Sequence, residues 1–167
     1  MRRVIRGNLD MLLRCLPTSI CSWNFNVDQE GSYFGSTVMR SMTETGEIHA
    51  AGSTFGVTKG GMFSGRWTLD EHGLTMAEAT KPSSMFRAYE LAAEGRQYDL
   101  AAVSVLSRPF AMKRGGRLVL TIQPVHPFTR RSEIHVMEDT PAPVVMFAFW
   151  LTAMTWRRQA RSSAAAG

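Results

Sequence analysis

Apolar and polar residues alternate along most of this chain, and the pattern breaks decisively only once, near the C-terminus. Trp23, Phe25 and Val27 interleave with Asn24, Asn26 and Asp28, the period of two that a half-buried strand requires. Asp28-Gln29-Glu30-Gly31 reads as a turn, and Ser32 to Met39 as the returning strand. The same grammar predicts strands over 47–57, 62–69, 74–79, 85–92, 97–106, 110–113, 118–123 and 130–137, about ten in all, joined by turns that mostly carry Gly or Pro. From Pro143 to Trp156 the alternation vanishes. That run is uncharged and apolar on every face, and it stops at Arg157-Arg158. A helix that is hydrophobic all round has to be buried on all sides.

These two features explain each other. A barrel of ten or more strands is too wide to be filled by its own side chains, a limit reached at about eight strands. The apolar run supplies the missing filling, and closure removes the exposed sheet edges. The expected fold is therefore all-β: a closed antiparallel β-barrel of about 10–12 strands wrapped around a central hydrophobic C-terminal α-helix. Residues 1–19 read as a basic lead-in with a short helix from Asn8 to Cys15, capped by Asn8 and ended by Pro17. The barrel domain is placed at 20–158 with its helix at 143–158, followed by a disordered tail over 159–167. The alternative is a tail-anchored membrane protein whose helix enters the bilayer. The run would be about 20 Å long, short against roughly 30 Å of hydrocarbon.

Three stretches carry a resemblance. One is the strand-turn unit Ala77-Glu78-Ala79-Thr80-Lys81, a small residue and a positive charge after a middle strand. Another is the run from Leu118 to Arg131, and the third runs from Phe149-Trp150-Leu151 to Trp156-Arg157-Arg158. Together they resemble small bacterial members of the superfamily of tubby C-terminal domains, LURP-one-related proteins and phospholipid scramblases. The resemblance covers about 21–158 and implies a tubby-like barrel. Tubby domains bind phosphoinositides through a basic surface cluster, which the resemblance does not place on particular residues here. The calcium-site and cysteine-rich features of scramblases are missing from the sequence, so scrambling is not implied.

Composition sharpens the class. The chain has 167 residues, 44% of them hydrophobic and 20% charged, as in an ordinary globular domain. The net charge of +5 rests on arginines concentrated near the two ends. Two cysteines, Cys15 and Cys21, without a C-x-x-C pair suit a reducing compartment. The expectation is a cytoplasmic chain, peripheral to the membrane at most.

Candidate chemistry is sparse. His49, His72, His126 and His135 stand singly, without metal-ligand spacing, so no metal or other cofactor is expected. Gly60-Gly61 and Gly115-Gly116 read as hairpin turns, and no nucleophile elbow occurs. Trp23, Phe25, Trp67 and Phe86 alternate as core residues, which leaves no stacking platform and no specific nucleic-acid partner. The remaining candidate is basic: Lys113, Arg114 and Arg117 around one turn, with Arg130 and Arg131 one strand later. If they share a rim, forked guanidinium donors suit phosphate. The expected function is thus a non-enzymatic binding or scaffold module that meets anionic lipid head groups or a protein partner through this basic rim.

Overall fold

The computed structural model describes residues 10–167. Twelve strands form one closed antiparallel barrel in an up-and-down meander. They are β1 Met11–Pro17, β2 Phe25–Gln29, β3 Ser32–Met39, β4 Gly46–Ala50, β5 Ser53–Lys59 and β6 Arg66–Glu71. The second half comprises β7 Leu74–Thr80, β8 Ala88–Ala93, β9 Arg96–Ala102, β10 Phe110–Arg114, β11 Arg117–Pro124 and β12 Ser132–Val136. β1 closes the barrel by pairing with both β12 and β2, Leu13 opposite Ile134 and Cys15 opposite Val27. The helix α1, Ala142–Ala165, follows β12.

Inward positions alternate with outward ones along the strands, except where a bulge against β10 leaves Val119 and Leu120 of β11 both buried. Phe25, Ile48, Trp67, Leu91, Leu100 and Ile134 are buried. Outward positions include Glu47, Thr58, Glu78, Glu90, Asp99 and Gln123. This is the reverse of a barrel that spans a membrane, where the apolar band faces out. The inward side chains form one cluster with α1, whose residues Val144 to Arg157 are all buried. Contacts on several sides place the helix in the lumen. Phe149 packs edge-on against Phe25 with ring centroids 5.1 Å apart. The Tyr89 hydroxyl lies 2.7 Å from Thr155 Oγ1, and Trp156 Nε1 donates to the Arg108 carbonyl at 2.9 Å. A Cβ on Gly35 would lie 2.5 Å from the His49 carbonyl oxygen and 3.1 Å from Met146 Cε, so β3 can press close to the helix only as glycine.

The two ends of the barrel differ. At one end, five strand pairs close with two-residue turns: Glu30-Gly31, Ala51-Gly52, His72-Gly73, Glu94-Gly95 and Gly115-Gly116. Both residues of each have positive φ. Such turns match the twist of the flanking strands and favour glycine at their second position. At the other end, loops of six or seven residues (18–24, 40–45, 60–65, 81–87, 103–109 and 125–131) join the strands. α1 enters from the turn end and leaves through the loop end, here called the mouth.

Several expectations about the elements needed correction: the strands drawn over 62–69, 85–92 and 97–106 are β6, β8 and β9 with other bounds, because 62–65, 85–87 and 103–106 belong to the mouth loops. The segment predicted as a helix from Asn8 to Cys15 is strand β1 over its described part; Asn8 itself lies outside the described residues. Leu13 and Cys15 point inward with a period of two, and pairing to β12 and β2 decides against local helix propensity. The single strand drawn over 47–57 is two, β4 and β5, because Ala51-Gly52 turns the chain. The region 159–167, drawn as a disordered tail, continues α1 to Ala165, with side chains exposed from Ala160 onward.

Trp150 is fully buried at the centre of the lumen. An unpaired buried charge costs several kcal/mol, comparable to the total stability of a domain. Trp150→Asp should therefore abolish cooperative melting; a soluble variant with an unchanged melting temperature would contradict the filled-lumen architecture. Ala51 sits at φ 51° in an exposed turn. Left-handed backbone costs a non-glycine residue about 1 kcal/mol, less for asparagine. Ala51→Asn should raise stability by about 0.5 kcal/mol in urea unfolding.

Candidate ligand-binding site

The five basic residues singled out in the sequence do not share a rim. In a meander, successive connections lie at opposite ends, so one strand of separation puts two clusters on opposite faces. Lys113, Arg114 and Arg117 flank the Gly115-Gly116 turn; Arg130 and Arg131 lie in a mouth loop, the length of β11 away. At about 3.3 Å per residue that is roughly 25 Å, beyond the screening length of about 8 Å at physiological salt. At the turn end Arg114 donates to Glu138 at 2.8 Å, and Arg117 lies 3.6 Å from the same carboxylate. Lys113 is exposed beside them. In the mouth, the Arg130 guanidinium lies 4.4 Å from the Trp23 ring centroid and donates to the Ser22 carbonyl at 2.9 Å. Arg131 next to it is exposed.

Charge is sorted along the barrel axis. The turn end carries the carboxylates Asp28, Glu30, Asp70, Glu71 and Glu94, together with Glu138 and Asp139 where β12 leads into α1, against the fewer cations Arg96, Lys113, Arg114 and Arg117. The mouth loops carry Arg40, Lys81, Arg87, Arg108, Arg130 and Arg131, and the end of α1 adds Arg157, Arg158 and Arg161. Within those mouth segments the single carboxylate is Glu44.

Glu44 organises a pocket. Lys59 Nζ donates to its Oε2 at 2.6 Å, and Arg158 Nε donates to its Oε1. Both cations lie against the Trp67 ring, 5.4 Å and 5.5 Å from a ring centroid. Lys81 stands across the pocket on the next loop, whose backbone is bound to its neighbour by Lys81 N–H donating to the Gly65 carbonyl at 2.6 Å. A cavity of about 300 Å³ opens between these loops, lined by Lys59, Ser64, Trp67, Lys81, Ser83 and Arg158. Ser64 Oγ accepts from Arg66 N–H at 3.1 Å and Ser83 Oγ from Met85 N–H at 3.2 Å. Each hydroxyl proton therefore remains available for donation into the cavity.

Burial alone would raise the Glu44 pKa, but the hydrogen bonds and charges of Arg158 and Lys59 outweigh it and hold the carboxyl below its usual range. Arg158 is shifted up correspondingly: burial pulls it down, and the Glu44 bond more than compensates. Burial lowers the Lys81 pKa, and the nearby Arg158 charge lowers it further, against a smaller opposing pull from Glu44. Three cations thus face one carboxylate, and the cavity has positive charge to spare.

Other residues settle differently from expectation. Phe86, expected in the core, is 62% exposed, whereas Phe25 and Trp67 are buried as expected and Trp23 is half-buried. Cys15 is fully buried, and burial pushes its thiol pKa far up, away from reactivity; Cys21 is exposed in a mouth loop. Among the described residues no cluster of His, Cys, Asp or Glu has the arrangement of a metal site. No helix of the described chain is long and apolar enough to cross a membrane, and the apolar run read alternatively as a bilayer anchor lies inside the barrel. The Trp67 and Trp150 indole nitrogens are buried without a hydrogen-bond partner; we have no physical account of this.

The pocket was missed in the sequence because its members are distant, Glu44 and Arg158 being 114 positions apart. One signal was present: Lys59 ends β5 and Lys81 directly follows β7, two connections apart, which a meander returns to the same end. Compared with protein-family models, curated proteins and solved structures, the chain gives no match. The closed twelve-stranded barrel with its C-terminal helix is compatible with a tubby-like fold.

Removing the Glu44 charge leaves Lys59, Lys81 and Arg158 without their shared counter-ion. Glu44→Gln should cost about 1–2 kcal/mol in urea unfolding near neutral pH, as for a charged hydrogen-bonded group. Because the folded-state pKa is depressed, the wild-type contribution is present above the ordinary carboxylate range and is lost as pH falls through the folded value. The difference between wild type and Glu44→Gln should therefore shrink in acid; a constant difference would show that the ion cluster does not stabilise the fold.

Proposed function

We propose that this chain is a non-enzymatic binding module of tubby-like architecture that takes phosphate-bearing anions, anionic phospholipid head groups foremost, in the mouth pocket of its barrel. The observation that carries this reading is the convergence of Lys59, Lys81 and Arg158 on one cavity whose lining holds no carboxylate, Glu44 pairing with Lys59 and Arg158 from outside that lining. A phosphate there would accept from Lys81 and the Ser64 and Ser83 hydroxyls, and would relieve the repulsion between Lys81 and Arg158. Charge-assisted bonds of this kind are about twice as strong as neutral ones. The rim of Lys113, Arg114 and Arg117 is the weaker candidate, since Glu138 already neutralises part of it.

The test is calorimetric titration with glycerol 3-phosphate, a soluble head-group fragment. Binding should be detectable at low salt and fall as salt rises. Lys81→Ala should weaken it roughly tenfold, the worth of one charge-assisted bond, while Lys113→Ala leaves it unchanged. Equal losses in both variants, or no binding by the wild type at low salt, would refute the pocket as the site.

A further inference from the structure

The mouth carries a second feature that anion binding does not use. Each of its six loops ends in an apolar side chain standing in solvent: Ile20, Met42, Phe63, Met85, Leu106 and Phe128, between 86% and 98% exposed. Their positions recur every 21 or 22 residues. Met62 and Val105 stand beside them, and every large hydrophobic residue of the described chain more than 80% exposed lies in these loops. Isolated exposed apolar residues are ordinary; one at the tip of every loop of a single end, with no other so exposed among the described residues outside these loops, marks an interaction surface.

The closed strand order sets the six tips around the mouth in chain order, with the exposed end of α1 from Ala160 to Ala165 emerging among them, so a partner that touches all of them must be as broad as the barrel and soft enough to admit the helix end. Behind the tips lies the basic set already described. Several of its arginines are fixed by loop carbonyls: Arg87 to Ser104 and Val105, Arg108 to Pro127, Arg157 to Arg40 and Thr43. Those bonds hold the loops and satisfy carbonyls that would otherwise need water. Apolar tips ahead of a cationic belt match the depth profile of an anionic bilayer, hydrocarbon first and phosphate above it. A second copy of this chain is disfavoured, because two mouths face to face would oppose like charges.

From this we infer that the mouth is a membrane-docking surface: the six tips enter the head-group–acyl boundary of an anionic bilayer, with α1 along the membrane normal and the acidic turn end facing away. The inference shares the mouth with the phosphate pocket, whose wall includes Met62 and Phe63, but the other five tips lie outside that cavity, so either can fail alone.

The test uses the full chain with vesicles of phosphatidylcholine, alone or mixed with phosphatidylglycerol. Phe63→Trp and Leu106→Trp place reporters at two tips; Leu74→Trp places one at the turn end, where Leu74 is also exposed. Lipids brominated on their acyl chains should quench the reporters' added emission at positions 63 and 106 and leave that at 74 unchanged, relative to wild type. Replacing Ile20, Leu106 and Phe128, which lie outside the phosphate cavity, together by Ser should lower affinity for mixed vesicles by at least roughly tenfold, since each removes a buried apolar contact. The melting temperature and the glycerol 3-phosphate affinity should not change. Quenching at position 74 equal to that at the tips, or vesicle binding indifferent to the triple replacement, would overturn the docking. If vesicles bind only through Lys81, the pocket stands and the insertion falls. If glycerol 3-phosphate fails to bind while the tips are quenched, the reverse holds. A concentration-dependent dimer in sedimentation, abolished by the triple replacement and without quenching, would make the mouth a self-interface and also overturn the inference.

Discussion

The structure depends on filling a lumen. Twelve strands make a wall too wide for its own side chains, and only a rod apolar on every face can occupy the space. That constraint dictates the sequence of α1 from Val144 to Trp156, the glycine at position 35 where β3 approaches Met146, and the inward aromatic residues Phe25, Trp67 and Tyr89. It also dictates what the chain tolerates in the helix. Thr152 and Thr155 lie in the buried stretch, but their hydroxyls bond the carbonyls of Ala148 and Leu151, so no orphan donor is added.

The same helix builds the mouth. Once the rod has crossed the lumen it must emerge, and the first residues to emerge are arginines. Arg157 is buried and donates to two loop carbonyls, while Arg158 reaches Glu44 and the Trp67 ring. Through Trp67, which meets Tyr89 edge-on, and Tyr89, which bonds Thr155, the pocket wall is continuous with the packing of the helix. An anion drawn to Lys81 and Arg158 therefore meets side chains whose positions are set by the core rather than by loop flexibility.

Much of the fold was legible in the sequence. Alternation gave most of the strands, and the featureless apolar run gave the plug. What was missed has physical reasons. β1 is short, and its sequence Met-Leu-Leu-Arg-Cys-Leu-Pro suits a helix as well as a strand; only the two neighbours that close the barrel choose between them. Ala51-Gly52 was read through as strand, because alanine is an unusual resident of a left-handed turn. Its place becomes evident from the spacing of Gly31, Gly52, Gly73, Gly95 and Gly116, which recur every 21 or 22 residues. The candidate site was less legible. Proximity in sequence grouped Lys113 to Arg117 with Arg131, whereas the meander separates them and gathers Glu44, Lys59, Lys81 and Arg158 instead.

A barrel of this kind leaves few places for recognition chemistry. Its lumen is occupied by α1, and its outer wall is largely polar and engaged in strand pairing. The two-residue turns are too short to present more than one side chain each, and their backbone demands restrict what that side chain is. Among the described residues only the six mouth loops are long enough to carry varied chemistry, and the hairpin repeat brings each back to the same level. Selection acting on any one loop therefore acts at the same surface as selection on the others. An apolar tip over a basic base, repeated with that period, becomes a single face rather than six separate features.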